Sequence, residues 1–343
     1  MRVNHVFHII FLAATTAFFG CSRTGNVKVI KLAHGLDVSH PVHKGMQFMA
    51  ERLAEKSNNS LQIKIYPSQQ LGTERQCVEL LQIGSLGMTK VSSGVLENFA
   101  PSMKIFGLPF LFEDKQHGYR VLDGEIGKQL LDESAKYWLK GIAFYDAGYR
   151  SFYTKDRSVS HPDDLKGLKI RVMESVSAMN MVRSLGGSPT PISWGELYTS
   201  LQQGIVDGAE NNPPSFYLSH HYEVCKNYIL DEHSYLPDVL IMSTIVWESL
   251  DTQQQKWLME AAQESVIYQR KIWAEAEEHA LAEVKKAGVR VSYPDKRPFR
   301  EFVSSIYEAY GKNETFNTMI KKINDLKSPK TDSTLVTNLV EDN

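Results

Sequence analysis

From residue 252 to residue 287 the sequence keeps a helical pattern, opened by Asp251 and Gln254 at capping-box spacing and closed by Lys285, Lys286 and Gly288. At ~1.5 Å per residue such a helix is on the order of 50 Å long, more than one small lobe is wide. A fold that contains it needs two bodies for it to lie across, so the run predicts a helix bridging two lobes.

The rest of the chain supplies two bodies of one kind. Residues 27–32 read as a strand, and Ser39-His40-Pro41 opens a helix with Pro41 in its first turn and Met46, Met49, Ala50 and Leu53 on one face. Residues 61–66 alternate apolar and polar as a half-buried strand does, and a helix over 73–83 stops at Gly84. The rhythm restarts near Tyr149: residues 152–154 and 168–173 read as strands, 175–185 as a helix, and 205–209 as a short buried strand. Ser193 and Glu196 have capping-box spacing ahead of a helix ending at Gly204. Residues 239–246 form a further apolar strand, assigned back to the first sheet. This is an α/β chain with largely parallel sheets, whose ligands sit beyond the carboxyl ends of the strands. The reading places 27–148 with 236–270 in lobe 1 and 149–235 with 271–328 in lobe 2, joined by crossings near Gly148, near Tyr235 and within the long helix. The tail 329–343 is polar and aperiodic.

The N-terminus points to export. Arg2 precedes an apolar run over 6–20, too short for a stable membrane span, and residues 1–20 read as a signal segment. Phe18-Phe19-Gly20-Cys21 approximates a lipoprotein box, which makes Cys21 the expected acylation site and membrane anchor. The whole chain carries a formal net charge of −2, and removing the segment with Arg2 takes it from −2 to −3. That offers no broad basic surface for nucleic acid. Any anion must meet a few placed cations. Cys77 and Cys225, in different lobes, are expected as two buried thiols, since a bridge between them would oppose hinge motion.

Four ordered segments carry a resemblance. Leu71-Gly-Thr-Glu74, Leu108-Pro-Phe-Leu-Phe112, Asp163-Asp-Leu-Lys-Gly-Leu-Lys-Ile-Arg-Val172 and Glu196-Leu-Tyr-Thr-Ser-Leu-Gln-Gln-Gly-Ile-Val-Asp-Gly-Ala-Glu-Asn-Asn212 make the chain similar to the dicarboxylate-receptor family of tripartite ATP-independent periplasmic (TRAP) transporters. The resemblance implies a two-lobed periplasmic-binding-protein-like fold with a ligand cleft and a long helix spanning both lobes. It also implies that Arg171 pairs with a substrate carboxylate, a task suited to a planar guanidinium with parallel donors. Arg150 and Asn211 are the accompanying carry-overs. Glu74, at a helix start, is placed to accept from sugar hydroxyls, and Trp194 to lay an apolar face on a carbon skeleton. His34, His40, Ser93, Phe216 and Tyr235 lie in segments expected to approach the cleft. His34, His40 and His43 lack zinc-like spacing, so no metal is expected, and no cofactor either.

The function so implied is capture of a small organic acid by a monomeric receptor that delivers it to one small and one large integral membrane subunit. A uronate or aldonate is the favoured acid and a C4-dicarboxylate the next. Two other classes use the same residues: a ligand sensor of the same fold, and an exported enzyme acting on sugar acids. No phosphate loop, His-Glu-x-x-His pair or nucleophile elbow supports the enzyme.

Overall fold

A computed structural model describes residues 27–327. The expected signal segment, Cys21 and the polar tail 329–343 lie outside the described residues. In chain order the strands are β1 (Lys28–Ala33), β2 (Leu61–Tyr66), β3 (Met88–Ser92), β4 (Leu139–Tyr145), β5 (Tyr149–Thr154), β6 (Lys169–Val172), β7 (Ser188–Pro191), β8 (Gly208–Asn211), β9 (Asn227–Tyr235), β10 (Asp238–Ser243) and β11 (Arg290–Ser292). They form a five-stranded sheet in the order β2-β1-β3-β10-β4 and a six-stranded sheet in the order β11-β9-β5-β8-β6-β7. Each sheet carries helices, giving two α/β lobes.

The sheets are mixed where largely parallel ones were expected. β1 runs parallel to β2 and β3, but β10 is antiparallel to both β3 and β4. In the second sheet β6 is parallel to β7 and β8, whereas β5 is antiparallel to β8 and β9. The cause is the crossing. A chain that leaves one sheet along β4 and enters the other as β5, then returns through β9 and β10, lays these strands against the local direction.

At the first crossing Gly148 has φ +60°, and a Cβ there would sit 2.8 Å from Glu277 Oε1 and 3.0 Å from Trp273 Nε1. Only glycine takes this conformation and this close approach without strain. Its N–H donates to Asp146 Oδ1, and Gln269 clamps Asp146 by accepting from its N–H and donating to its C=O. The crossing is thus pinned to the long helix.

That helix spans Thr252–Lys286, with both arms of the Asp251/Gln254 capping box formed. Leu258, Ala261, Ala262 and Trp273 enter the first lobe's core beside Met46, Met49 and Leu240, while Val284 packs in the second lobe with Leu201, Phe216 and Tyr228. One helix therefore belongs to both cores; removing a fully buried side chain such as Trp273 is worth ~3–5 kcal/mol. A third apolar cluster runs from Val91 and Phe106 to Ile170 and Met181, so the lobes also meet through packed side chains.

Cys77 and Cys225 are buried and unpaired. Burial pushes their thiols up to about 11 and about 12, which leaves them protonated and inert. Three element readings shift. β8 starts three residues later than the predicted strand, and β10 gives way at Thr244 to a short helix, Thr244–Glu248. No backbone capping box forms at Ser193, whose hydroxyl donates to the Glu196 carboxylate while residues 194–196 make a 3₁₀ turn.

Candidate functional site

Between the lobes lies a cavity of about 60 Å³. That exceeds the ~10–15 Å³ that a single water requires several times over. β5, β6 and the end of β8 build one wall from Arg150, Arg171 and Asn211. The other is built from Glu74 at a helix start, Lys90 on β3 and Asp238 at the head of β10.

The two arginines are buried equally, at 5% exposure for Arg150 and 3% for Arg171, and their surroundings are opposite. Arg150 sits at a register shift in the β5–β9 pairing, which re-aims its side chain along the sheet. Its Nε and Nη2 donate to the two carboxylate oxygens of Glu210 at 2.5 and 2.9 Å, Nη2 also donates to the Glu210 carbonyl, and Nη1 donates to Asn211 Oδ1 at 2.7 Å. Behind Glu210, His233 Nε2 lies 3.5 Å away and His233 Nδ1 meets Asp231 at 2.7 Å. Burial alone would raise the Glu210 carboxyl, but Arg150 and His233 hold it down at about 2. Burial likewise opposes charge on His233, and Asp231 and Glu210 more than offset it, lifting the ring to about 9. Two cations and two anions thus balance inside the second lobe.

Arg171 has no such partner. Its Nε donates to the Ile192 carbonyl at 2.9 Å, its guanidinium stands 5.8 Å from the Trp194 ring centroid, and among the described residues no carboxylate pairs with it. Burial pulls its pKa below the ordinary arginine value, and the distant Glu210 and Glu74 only partly oppose this. Four of its five N–H donors remain for a ligand. A desolvated cation kept without a partner is costly unless an anion arrives.

Asn211 is oriented by its neighbours. Its Oδ1 accepts from Arg150 Nη1 and from the Asn212 N–H, and because arginine can only donate, the amide NH₂ is left as the cavity-facing donor.

The opposite wall is acidic. Lys90 Nζ lies 2.7 Å from Glu74 Oε1 and 3.2 Å from Asp238 Oδ1, two carboxylates about one ammonium. Burial works against the Lys90 charge, but the two carboxylates win and hold its pKa above the lysine value; burial raises that of Asp238. Glu74 starts the helix Glu74–Gln82, capped by Thr73 and Gln76, and its other oxygen accepts from the Ser92 N–H. Trp194 lines the cavity beside Arg171.

Three predicted residues lie behind the walls. His34 is turned to His43, with Nε2 3.0 Å from His43 Nδ1 while its own Nδ1 accepts from the Leu36 N–H. Phe216 is sealed between Tyr153 and Tyr228, each ring 4.7 Å away, because its face of the helix Pro213–Leu218 turns into the core. Tyr235 spends its hydroxyl on Asp146 at the crossing. Ser93 is buried outside the cavity lining as well. Conversely, Lys90, Asp238 and Ser215 line the cavity without having been singled out, and His40 lines it where only a weak signal pointed. Lys90 sits in a strand, Met88–Ser92, that is buried throughout, and lysine is rarely buried unpaired.

Residues 32–313 match the family described as bacterial extracellular solute-binding protein, family 7. A TRAP periplasmic solute-binding protein of Xanthobacter autotrophicus, solved with β-D-galacturonate, is 40% identical with a TM-score of 0.83, covering 86% of this chain and 98% of its own. Another from Anaerococcus prevotii, solved with D-glucuronate, is 36% identical with a TM-score of 0.84, covering 88% and 100%. The C4-dicarboxylate-binding periplasmic protein of Rhodobacter capsulatus is 33% identical over 265 residues, 76% of this chain and 78% of its own.

Proposed function

The chain belongs to the bacterial extracellular solute-binding proteins of family 7, and from that premise we propose that it captures a sugar monoacid, a hexuronate foremost, and delivers it to the membrane subunits of a TRAP transporter. The charge count of the cavity carries this reading. One buried cation, Arg171, lacks a counter-ion, and the facing wall holds two carboxylates about one ammonium. A single carboxylate completes Arg171 through parallel N–H donors. The Asn211 amide and the one uncommitted donor of Arg150 meet the same anion, and Glu74 and Asp238 accept from hydroxyls at the far end. A second carboxylate placed there meets like charge instead.

The second reading is a C4-dicarboxylate, favoured by the Rhodobacter relative's name. The proposed sequence of events is entry into an open cleft, pairing with Arg171, closure about the crossings with the lobe division read from the sequence, and docking of the closed form. The protein so read is exported, anchored through an acylated Cys21, monomeric and without catalytic activity; a sensor of the same fold would capture ligand identically.

A thermal-shift panel tests the ligand class. At a hundredfold excess over Kd a bound ligand adds ~2.7 kcal/mol, so D-galacturonate or D-glucuronate should raise the melting temperature by about 5 °C. A shift with succinate or malate and none with either uronate contradicts the proposal.

A further inference from the structure

His40 and Ser215 both line the cavity, from opposite lobes, and they touch: His40 Nε2 lies 3.2 Å from Ser215 Oγ. Both are buried. The proton's place on this contact follows from the rest of the ring. His40 caps the helix Pro41–Lys56, its Nδ1 accepting from the Val42 N–H, so Nδ1 carries no proton. Burial and the nearby Lys90 lower its pKa to about 3, and the neutral ring then holds its proton on Nε2. Nε2–H therefore donates, and Ser215 Oγ accepts. The Ser215 hydroxyl keeps its own proton, for which the described residues supply no acceptor, on the cavity side.

We propose that Ser215 donates a hydrogen bond to the bound acid and that His40, reaching across the cleft, fixes the direction of that donor, so ligand contact and lobe closure are coupled at this pair. The proposal rests on the reading that the cavity holds a sugar acid. In an open cleft the serine hydroxyl rotates freely. Closure brings the imidazole to it, and the proton turns to the ligand. His40 is in this sense a positioning residue, and Ser215 the contact.

The test uses D-galacturonate and D-glucuronate on the full chain, with Ser215→Ala, His40→Asn and the double variant. Asparagine keeps a capping side chain at position 40 but is too short to span the cleft. A hydrogen bond to a charged or strongly polar ligand group is worth about tenfold or more in affinity. Each single variant should lose about tenfold, as a faster dissociation rate at near-constant association rate, and the double variant should lose no more than Ser215→Ala alone. Fluorescence melting of the unliganded proteins should leave Ser215→Ala at the wild-type midpoint. Additive losses in the double variant, or wild-type affinity in Ser215→Ala, overturn the inference while leaving the ligand class standing. Wild type that binds neither uronate overturns the ligand class and this inference with it.

Discussion

The two walls of the cleft use the same kinds of charged groups to opposite ends. In the second lobe Arg150, Glu210, His233 and Asp231 form a closed ionic chain in which each charge has a neighbour of opposite sign. One strand over, Arg171 is left with a carbonyl and an aromatic ring. In the first lobe the imbalance has the other sign, with Glu74 and Asp238 sharing Lys90. A buried charge that is already satisfied organises a site, whereas an unsatisfied one waits for a ligand. Arg150 is therefore read as the support that orients Asn211, and Arg171 as the anchor.

Breaking the closed chain should give the largest stability effect. Glu210→Ala strands Arg150 in the interior, and disrupting one side of a buried pair costs ~3–5 kcal/mol; denaturant unfolding of the unliganded protein measures it. The same chain sets the pH response. His233 is raised from 6.5 to about 9 in the fold, so the stability it contributes is full below pH 6.5 and lost as pH rises through 9, with a slope of up to ~1.4 kcal/mol per pH unit between. Glu210, lowered from 4.5 to about 2, adds stability that is present above pH 4.5 and lost as pH falls through 2. His233→Gln should flatten the alkaline limb and shrink the acid limb, which Arg150 alone then holds. Smallest is Asp238→Asn on the acidic wall, which removes charge but little volume: uronate affinity should fall about tenfold and succinate affinity should rise.

The architecture was largely legible because it rests on local signals. The long helix announced itself by its capping box and basic end, and it forms as read. Strand direction was not legible, since β4 into β5 and β9 into β10 depend on where the chain crosses between bodies, which no local period records. In the site, Arg171, Asn211 and Glu74 came from the ordered segments, Arg150 from the family resemblance and Trp194 from its place just before a helix, and all five line the cavity. His34, Phe216 and Tyr235 were placed by segment alone, and a segment that nears a cleft still turns alternate side chains away from it. Lys90 and Asp238 sit 148 positions apart in sequence, and only the β3–β10 pairing brings them together.

The central claim, that Arg171 is the unpaired anchor, is tested most directly by titration calorimetry of Arg171→Ala and Arg171→Lys with D-galacturonate, alongside unfolding of the unliganded proteins. Arg171→Ala should lose a hundredfold to a thousandfold or more in affinity, on the order of 3–5 kcal/mol, while its unliganded stability stays level or rises because an uncompensated buried cation has gone. Arg171→Lys should fall between, keeping charge without the fork. An Arg171→Ala protein that binds within threefold of wild type, or that unfolds as readily as Glu210→Ala, contradicts the account.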